Sequence, residues 1–132
     1  MEATLAPAVE NSEIWKDRAA LLAVIAHPVR LKILEALCQR PRCVKDINSE
    51  LPLGQAQVSQ HMAALRKAEL VASHPCGTYR CYYIVRPTLV KKLIPLLRED
   101  HPVKKSDCKQ ILREAKRARA QALKEGAGEG AG

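Results

Sequence analysis

Apolar residues fall into helical spacing along most of the chain, switch once to alternation, and then return to helical spacing. From Trp15, the apolar positions Ala19, Leu22 and Ala26 recur at helical intervals, and the pattern breaks at His27-Pro28, because a proline disfavours the αR conformation in the residue before it. A first helix of about three turns is expected there. A second starts at Pro28, a residue suited to the first helical position, carries Val29, Ile33, Leu34 and Leu37, and stops before Pro41. A third, shorter helix holds Val44, Ile47 and Leu51 on one side and ends at Pro52. The fourth begins at Gly54 or Gln55. Its apolar residues Val58, Met62 and Leu65 stand at i, i+4 and i+7, which leaves Gln57, Ser59, Gln60, His61 and Arg66 off the buried stripe.

The period then changes. ELVASHPCGTYRCYYIV alternates around a Gly-centred turn, is rich in β-branched and aromatic residues, and reads as a hairpin. A fifth helix from about Thr88 to Arg98 carries Leu89, Leu93, Leu96 and Leu97, and Pro95 inside it predicts a kink or an early end. Residues 104–125 are helix-prone and dense in Lys and Arg, with a thin stripe at Cys108, Ile111, Leu112 and Ala115. Four segments follow: a flexible arm over residues 1–12, a folded domain over 13–99, a basic helical extension over 100–125, and a disordered Gly-rich tail over 126–132. Three helices, a polar-faced helix after a tight turn, and a hairpin make a winged helix-turn-helix, a mostly α fold with a β-hairpin wing.

The composition narrows this further. A chain of 132 residues suits one domain, and with no Phe and a single Trp its core must be aliphatic. No apolar run approaches the roughly 18 residues of a membrane span, and the start lacks a basic segment followed by an apolar one. A soluble, cytoplasmic protein without a membrane partner is expected.

The formal charge of +8 points to a polyanion, nucleic acid first. On the fourth helix, Gln57, Ser59, Gln60 and His61 have the chemistry to bond base edges in the major groove of double-stranded DNA, since amides can pair bidentately with adenine and hydroxyls with either base. Gln55 is expected at the helix mouth near a phosphate. Arg66, Lys67 and Arg80 suit phosphates better than bases, with Arg80 near the wing tip. An enzyme is not expected, because the acidic residues are scattered and the only Gly-rich segment is the tail. A non-specific nucleic-acid-coating protein would share the charge, but it has no use for an amide-bearing recognition face.

HPVRLKIL, then LPLGQAQVSQHMAALRKAELV, and a wing ending in CYYIV together resemble the ArsR/SmtB family of bacterial transcriptional repressors over roughly residues 15 to 98. The most specific piece is VSQHMAALRKAELV, set against the family's V-S-x-H-L-x-x-L-x-x-x-G-L-V. Met62 replaces a leucine, and Glu69 stands where the family has glycine, at a helix end where αL backbone makes a side chain cost about 1 kcal/mol. The resemblance implies a homodimer joined through the first and last helices, reading a pseudo-palindromic operator. It also implies release from DNA by metal ions, metalloids or thiol oxidants.

Five cysteines, an odd number without any C-x-x-C spacing, argue for free thiols and against a disulfide scaffold or a zinc ribbon. One site of the family places C-V-C-D on the third helix; here the segment is C-V-K-D, so Cys43 keeps the first position and Lys45 cannot replace the second thiolate. No resident cofactor is expected. Thiolates could still gather a thiophilic metalloid such as arsenite as effector, from Cys38 and Cys43 across a short connection and from Cys76 and Cys81 across the wing turn, with Cys108 on the basic helix as a further thiol. Cysteine pairs would equally serve a redox or persulfide sensor, and buried incidental thiols are the plainest alternative.

Overall fold

The computed structural model describes residues 8–131, with side chains over 12–126. The elements in order are α1 (Ala8–Ile25), α2 (Pro28–Gln39), β1 (Arg42–Cys43), α3 (Val44–Glu50), α4 (Gln55–Lys67), β2 (Val71–Cys76), β3 (Tyr79–Ile84), α5 (Pro87–Arg98) and α6 (Cys108–Ala131). The chain divides after Glu99 into two compact units, the second of which contains α6.

Each boundary has a local cause. His27 caps α2: its Nδ1 accepts the Val29 amide at 3.1 Å, and Pro28 follows at the first helical position. Cys43 precedes α3, and its amide donates to the Asp46 carboxylate at 3.4 Å. α4 ends in a complete Schellman motif, with the Glu69 amide donating to the Arg66 carbonyl and the Leu70 amide to the Leu65 carbonyl, both at 3.0 Å. The residue in the left-handed conformation is Glu69, at φ +57°. Arg86 supports this cap by donating through Nε to the Glu69 carbonyl at 2.9 Å. In the wing, the two-residue turn Gly77-Thr78 puts its φ of +65° on glycine, the residue such a hairpin turn favours at its first central position.

The sheet has three strands in the order β1-β3-β2, all antiparallel. The alternation of residues 69–85 foretells only the hairpin. β1 is two residues long, too short to carry a period, and it pairs Arg42 with Tyr82 and Cys43 with Cys81.

Among the described residues, twelve apolar side chains make the core, from Ile25 through Ile33, Leu34, Leu37, Ile47, Val58, Met62, Leu65, Leu70 and Val71 to Val90 and Ile94. Burial of each contributes about 1.5–3 kcal/mol. The expected stripe of α4 lies in it, and so does that of α2 except for Val29, which packs against its edge. In α5 the buried pair is Val90 and Ile94, while Leu89 and Leu93 flank the core and Leu96 and Leu97 are exposed, so the helix is rotated from its leucine stripe. Pro95 does not end it early; the solvent-facing proline leaves Ile94 anchored in the core, and the helix runs on to Arg98.

Three expectations are corrected at the ends. α1 starts at Ala8, so residues 8–12 of the expected arm are helical; residues 1–7 lie outside the described residues. α6 begins at Cys108, four residues later than expected, because its first turn is organised by Asp107, whose carboxylate accepts the Gln110 amide at 2.7 Å. Its backbone continues to Ala131 through most of the glycine-rich tail, since an established helix gains a hydrogen bond for each residue added. Each glycine there costs about 1 kcal/mol against alanine.

Candidate nucleic-acid interface

α4 turns Val58, Met62 and Leu65 into the core and leaves Gln55, Gln57, Ser59, Gln60, Arg66 and Lys67 in solvent. At 100° per residue, Gln60 stands opposite the buried stripe, flanked by Gln57 and Ser59. Ala56 and Ala63 share this outer face and are exposed. Their small side chains allow close approach to DNA, and methyl groups there suit thymine.

His61 departs from the expected DNA face. It lies three residues beyond Val58 and one before Met62, on the flank of the buried stripe, and it is half-buried against the start of α2. Its ring centroid is 4.4 Å from that of His27. Nδ1 accepts the Arg30 Nε–H at 3.2 Å, and Arg30 also donates to the Val24 carbonyl at 3.0 Å. Burial, then the charges of His27 and Arg30, hold the imidazole below its ordinary pKa. The i+3 spacing from Val58 sets His61 at the edge of the stripe, and its neighbours on α2 turn it inward.

Arg80 is exposed on β3, and its Nε donates to Ser73 Oγ at 3.1 Å on the facing strand, which fixes the guanidinium beside the wing tip. α3, the start of α4 and the wing border an open cleft of about 590 Å³, lined among others by Cys43, Lys45, Asn48, Gln55 and Arg80. Lys45 thus joins Arg80 and Gln55 at one edge. In the sequence this lysine stands out only as a residue that cannot replace a thiolate.

The thiols are arranged differently from the expected pairs. Cys38 turns towards α5, with Sγ 3.9 Å from the Val90 carbonyl, and burial pushes its thiol up against a weaker opposing effect of Lys91. Cys43 stands instead opposite Cys81. Across the wing, Cys76 faces Tyr79 while Cys81 faces His74, so Cys76 and Cys81 are diagonal neighbours. A hydrogen bond with Cys76, then burial and nearby negative groups, raises the Cys81 pKa. The Cys43 thiol bonds the Asp46 carboxylate, and this bond leads the causes that hold Asp46 below its usual range. Cys108 is exposed on α6. Among the described residues, no group of three or more His, Cys, Asp or Glu side chains is placed to hold a metal ion. Among them, too, no helix is long and apolar enough to cross a membrane.

A helix with a buried aliphatic stripe and an amide-rich outer face, followed by a basic wing, defines a winged helix-turn-helix DNA-binding regulator. Residues 27–73 match the family described as bacterial regulatory protein, arsR family. An uncharacterised HTH-type transcriptional regulator of Mycobacterium tuberculosis is 33% identical over 86 residues, which cover 64% of this chain and 75% of that protein. Reduced HlyU from Vibrio cholerae is similar in structure, with a TM-score of 0.62 and 33% identity over 67% of this chain and 92% of the other. The homodimeric winged helix-turn-helix DNA-binding domain of Mb0332 from Mycobacterium bovis, described as a possible ArsR-family regulator, gives a TM-score of 0.60 at 26% identity, covering 67% of this chain and 81% of that one. The chain belongs to the ArsR family of transcriptional regulators and is not an enzyme.

Proposed function

We propose that the protein is a cytoplasmic, homodimeric repressor that holds a pseudo-palindromic operator and is released by a thiophilic metalloid or metal bound through cysteine thiolates. The observation that carries the DNA reading is the outer face of α4, where Gln60 is exposed opposite a buried stripe and Gln57 and Ser59 are exposed on either side of it. Gln55, Lys45, Arg66 and Arg80 would position the phosphates around it.

Uncovered apolar surface supports the dimer. Trp15 is 66% exposed and Leu22 52% on α1, and Leu97 is 53% exposed on α5, in a chain whose other leucines mostly serve the core. A two-fold molecule would set its two recognition helices about one DNA turn apart. Bound over a promoter, it would exclude polymerase by occupying the same groove.

For the effector, the supporting observation is that Cys43, Cys76 and Cys81 lie on adjoining positions of one small sheet beside the wing. Thiolates are the ligands that As(III) and similar soft ions prefer. Cys38, directed to α5, is the least suited of the four candidates.

The test is binding of the reduced protein to DNA upstream of its own gene at physiological salt, with and without arsenite. Specific binding abolished by arsenite supports the whole reading. Specific binding that ignores arsenite removes that effector and keeps the repressor; equal binding to all sequences removes the repressor as well.

A further inference from the structure

The residues of α6 sort themselves by face. At 100° per residue, Lys109, Arg113, Lys116, Arg117 and Lys124 fall within an arc of about 100°, and Cys108, Ile111, Ala115, Ala118 and Ala122 lie on the opposite side. Residues 108–126 are all exposed. Between Lys104 and Lys124, eight Lys or Arg stand against Asp107 and Glu114, a net +6 in a chain whose total is +8.

Nothing within the chain neutralises this face. The Asp107 carboxylate accepts the Gln110 amide at 2.7 Å, Glu114 accepts from Gln110 Nε2 at 3.4 Å, and Glu125 accepts from Gln121 Nε2 at 3.5 Å. The acids are thus held by glutamines, and among the described residues no Lys or Arg of α6 makes an ion pair. Lys109 and Arg113, and then Arg113 and Arg117, are like charges at i, i+4, which oppose the helix they sit on. Lys109 also brings a cation to the first turn, where the macrodipole favours an anion. A face that only kept the helix in solution would place Glu four residues before Lys or Arg and relieve the repulsion. A polyanion laid along it does the same from outside.

We propose that this basic face of α6 is a second DNA-binding surface, which holds the phosphates of duplex DNA without reading sequence and adds to the contacts of α4 and the wing. The proposal needs only the DNA binding of the winged domain; it does not depend on operator preference or on any effector.

The dimensions and the chemistry favour duplex DNA. From Lys109 to Lys124 the face is about 22 Å long. Duplex DNA carries one negative charge per about 1.7 Å of its axis, so several phosphates fall along that length. An anionic membrane has the same sign of charge, but a helix lying in its surface presents Trp, Phe or Leu on the other side. Here that side is alanine and cysteine with Ile111 as its one large apolar residue, and Leu112 and Leu123 lie off it. A second copy of α6 would meet the basic face with charge of the same sign. Nine residues, Glu99 to Asp107, join α5 to α6 and span at most about 30 Å. Once the winged domain holds a duplex, that tether keeps α6 at high effective concentration beside it, so contacts that are weak alone add to the affinity.

The experiment compares the reduced full-length protein with a variant carrying Lys109→Gln, Arg113→Gln, Lys116→Gln and Arg117→Gln, since glutamine matches lysine and arginine in helix propensity. Fluorescence anisotropy follows binding to an operator duplex and to a scrambled one across a salt series. The variant should lose affinity for both by about tenfold or more at physiological salt, and its salt slope of log K should fall by about 3 to 4, near 0.9 for each charge removed. Arg113→Lys with Arg117→Lys keeps the charge and should bind as the wild type does. The single change Lys116→Gln should lower the slope by about one, which decides the matter even if the fourfold variant loses helix by circular dichroism. Unchanged affinity and slope overturn the proposal, and so does a loss confined to the operator. A fourfold variant with an altered oligomeric state by sedimentation would make α6 an assembly element instead. Phosphatidylserine vesicles that bind the wild type and not the variant, with DNA affinity unaltered, would make the partner a membrane. If the wild type is indifferent to operator sequence, the repressor reading fails, while the scrambled duplex still decides the role of α6.

Discussion

Glu69 shows how one residue can hold a costly conformation for the sake of its neighbours. Its φ of +57° is imposed by the Schellman bonds that bury Leu65 and Leu70 side by side, and Arg86 binds its carbonyl. Only the absence of a Cβ would remove the strain, so Glu69→Gly should stabilise the protein by about 1 kcal/mol, read from its urea unfolding midpoint. No gain would mean that the Glu69 side chain makes a compensating interaction. His61 gives a second prediction. With its folded pKa depressed by burial first and by His27 and Arg30 next, the unfolded chain takes up the imidazole proton at higher pH than the folded one. Stability should thus be full above the ordinary imidazole value of about 6.5 and be lost as pH falls through it towards the folded value. His61→Gln should flatten that part of the curve, and an NMR titration that finds an ordinary His61 pKa would refute the linkage. The strained site was legible in the sequence, because Glu69 stands where the glycine pattern fails. The inward turn of His61 was not, because a histidine at the edge of a stripe faces solvent or core according to what lies beside it, here His27 and Arg30 on α2.

At the scale of elements, α4 and the wing divide the work of DNA binding into reading and holding. Gln60→Ala, and to a lesser degree Gln57→Ala, should lower affinity for the operator by about 1–3 kcal/mol and leave binding to random DNA unchanged. Arg80→Ala and Lys45→Ala should weaken binding to all sequences alike, and each should reduce the salt slope of log K by about one. Fluorescence anisotropy across a salt series, with operator and scrambled duplexes, separates the two patterns. A Gln60→Ala protein that loses both kinds of binding equally would place Gln60 on the backbone. The elements were mostly readable because prolines at 28, 41, 52 and 87 and a single change of period punctuate the chain. The rotation of α5 is not legible in the sequence, since its apolar residues outnumber what one face can bury and only the neighbouring α2 decides which are covered.

For the whole molecule, the uncovered face of α1 and α5 matters most. Introducing a charge into the proposed dimer seam, as Leu22→Glu with Leu97→Glu, should yield a folded monomer by analytical ultracentrifugation and weaken operator binding, because two half-sites would no longer be held together. A dimer that survives both changes would move the interface elsewhere. The pair is chosen so that folding is spared: both residues are exposed and neither belongs to the core.

The sequence by itself determined the order of helices and hairpin, the aliphatic core, the polar face of α4 and the basic wing, because these depend on local periodicity and on residue chemistry that acts within a turn or two. Only the tertiary structure decided the partners of the cysteines. Strand β1 has two residues and no pattern of its own, yet its register with β3 sets Cys43 against Cys81 rather than Cys38, and leaves Cys76 on the diagonal. Pairing across a sheet depends on residues far apart in the chain, and a shift of one position would turn those thiols to the other face.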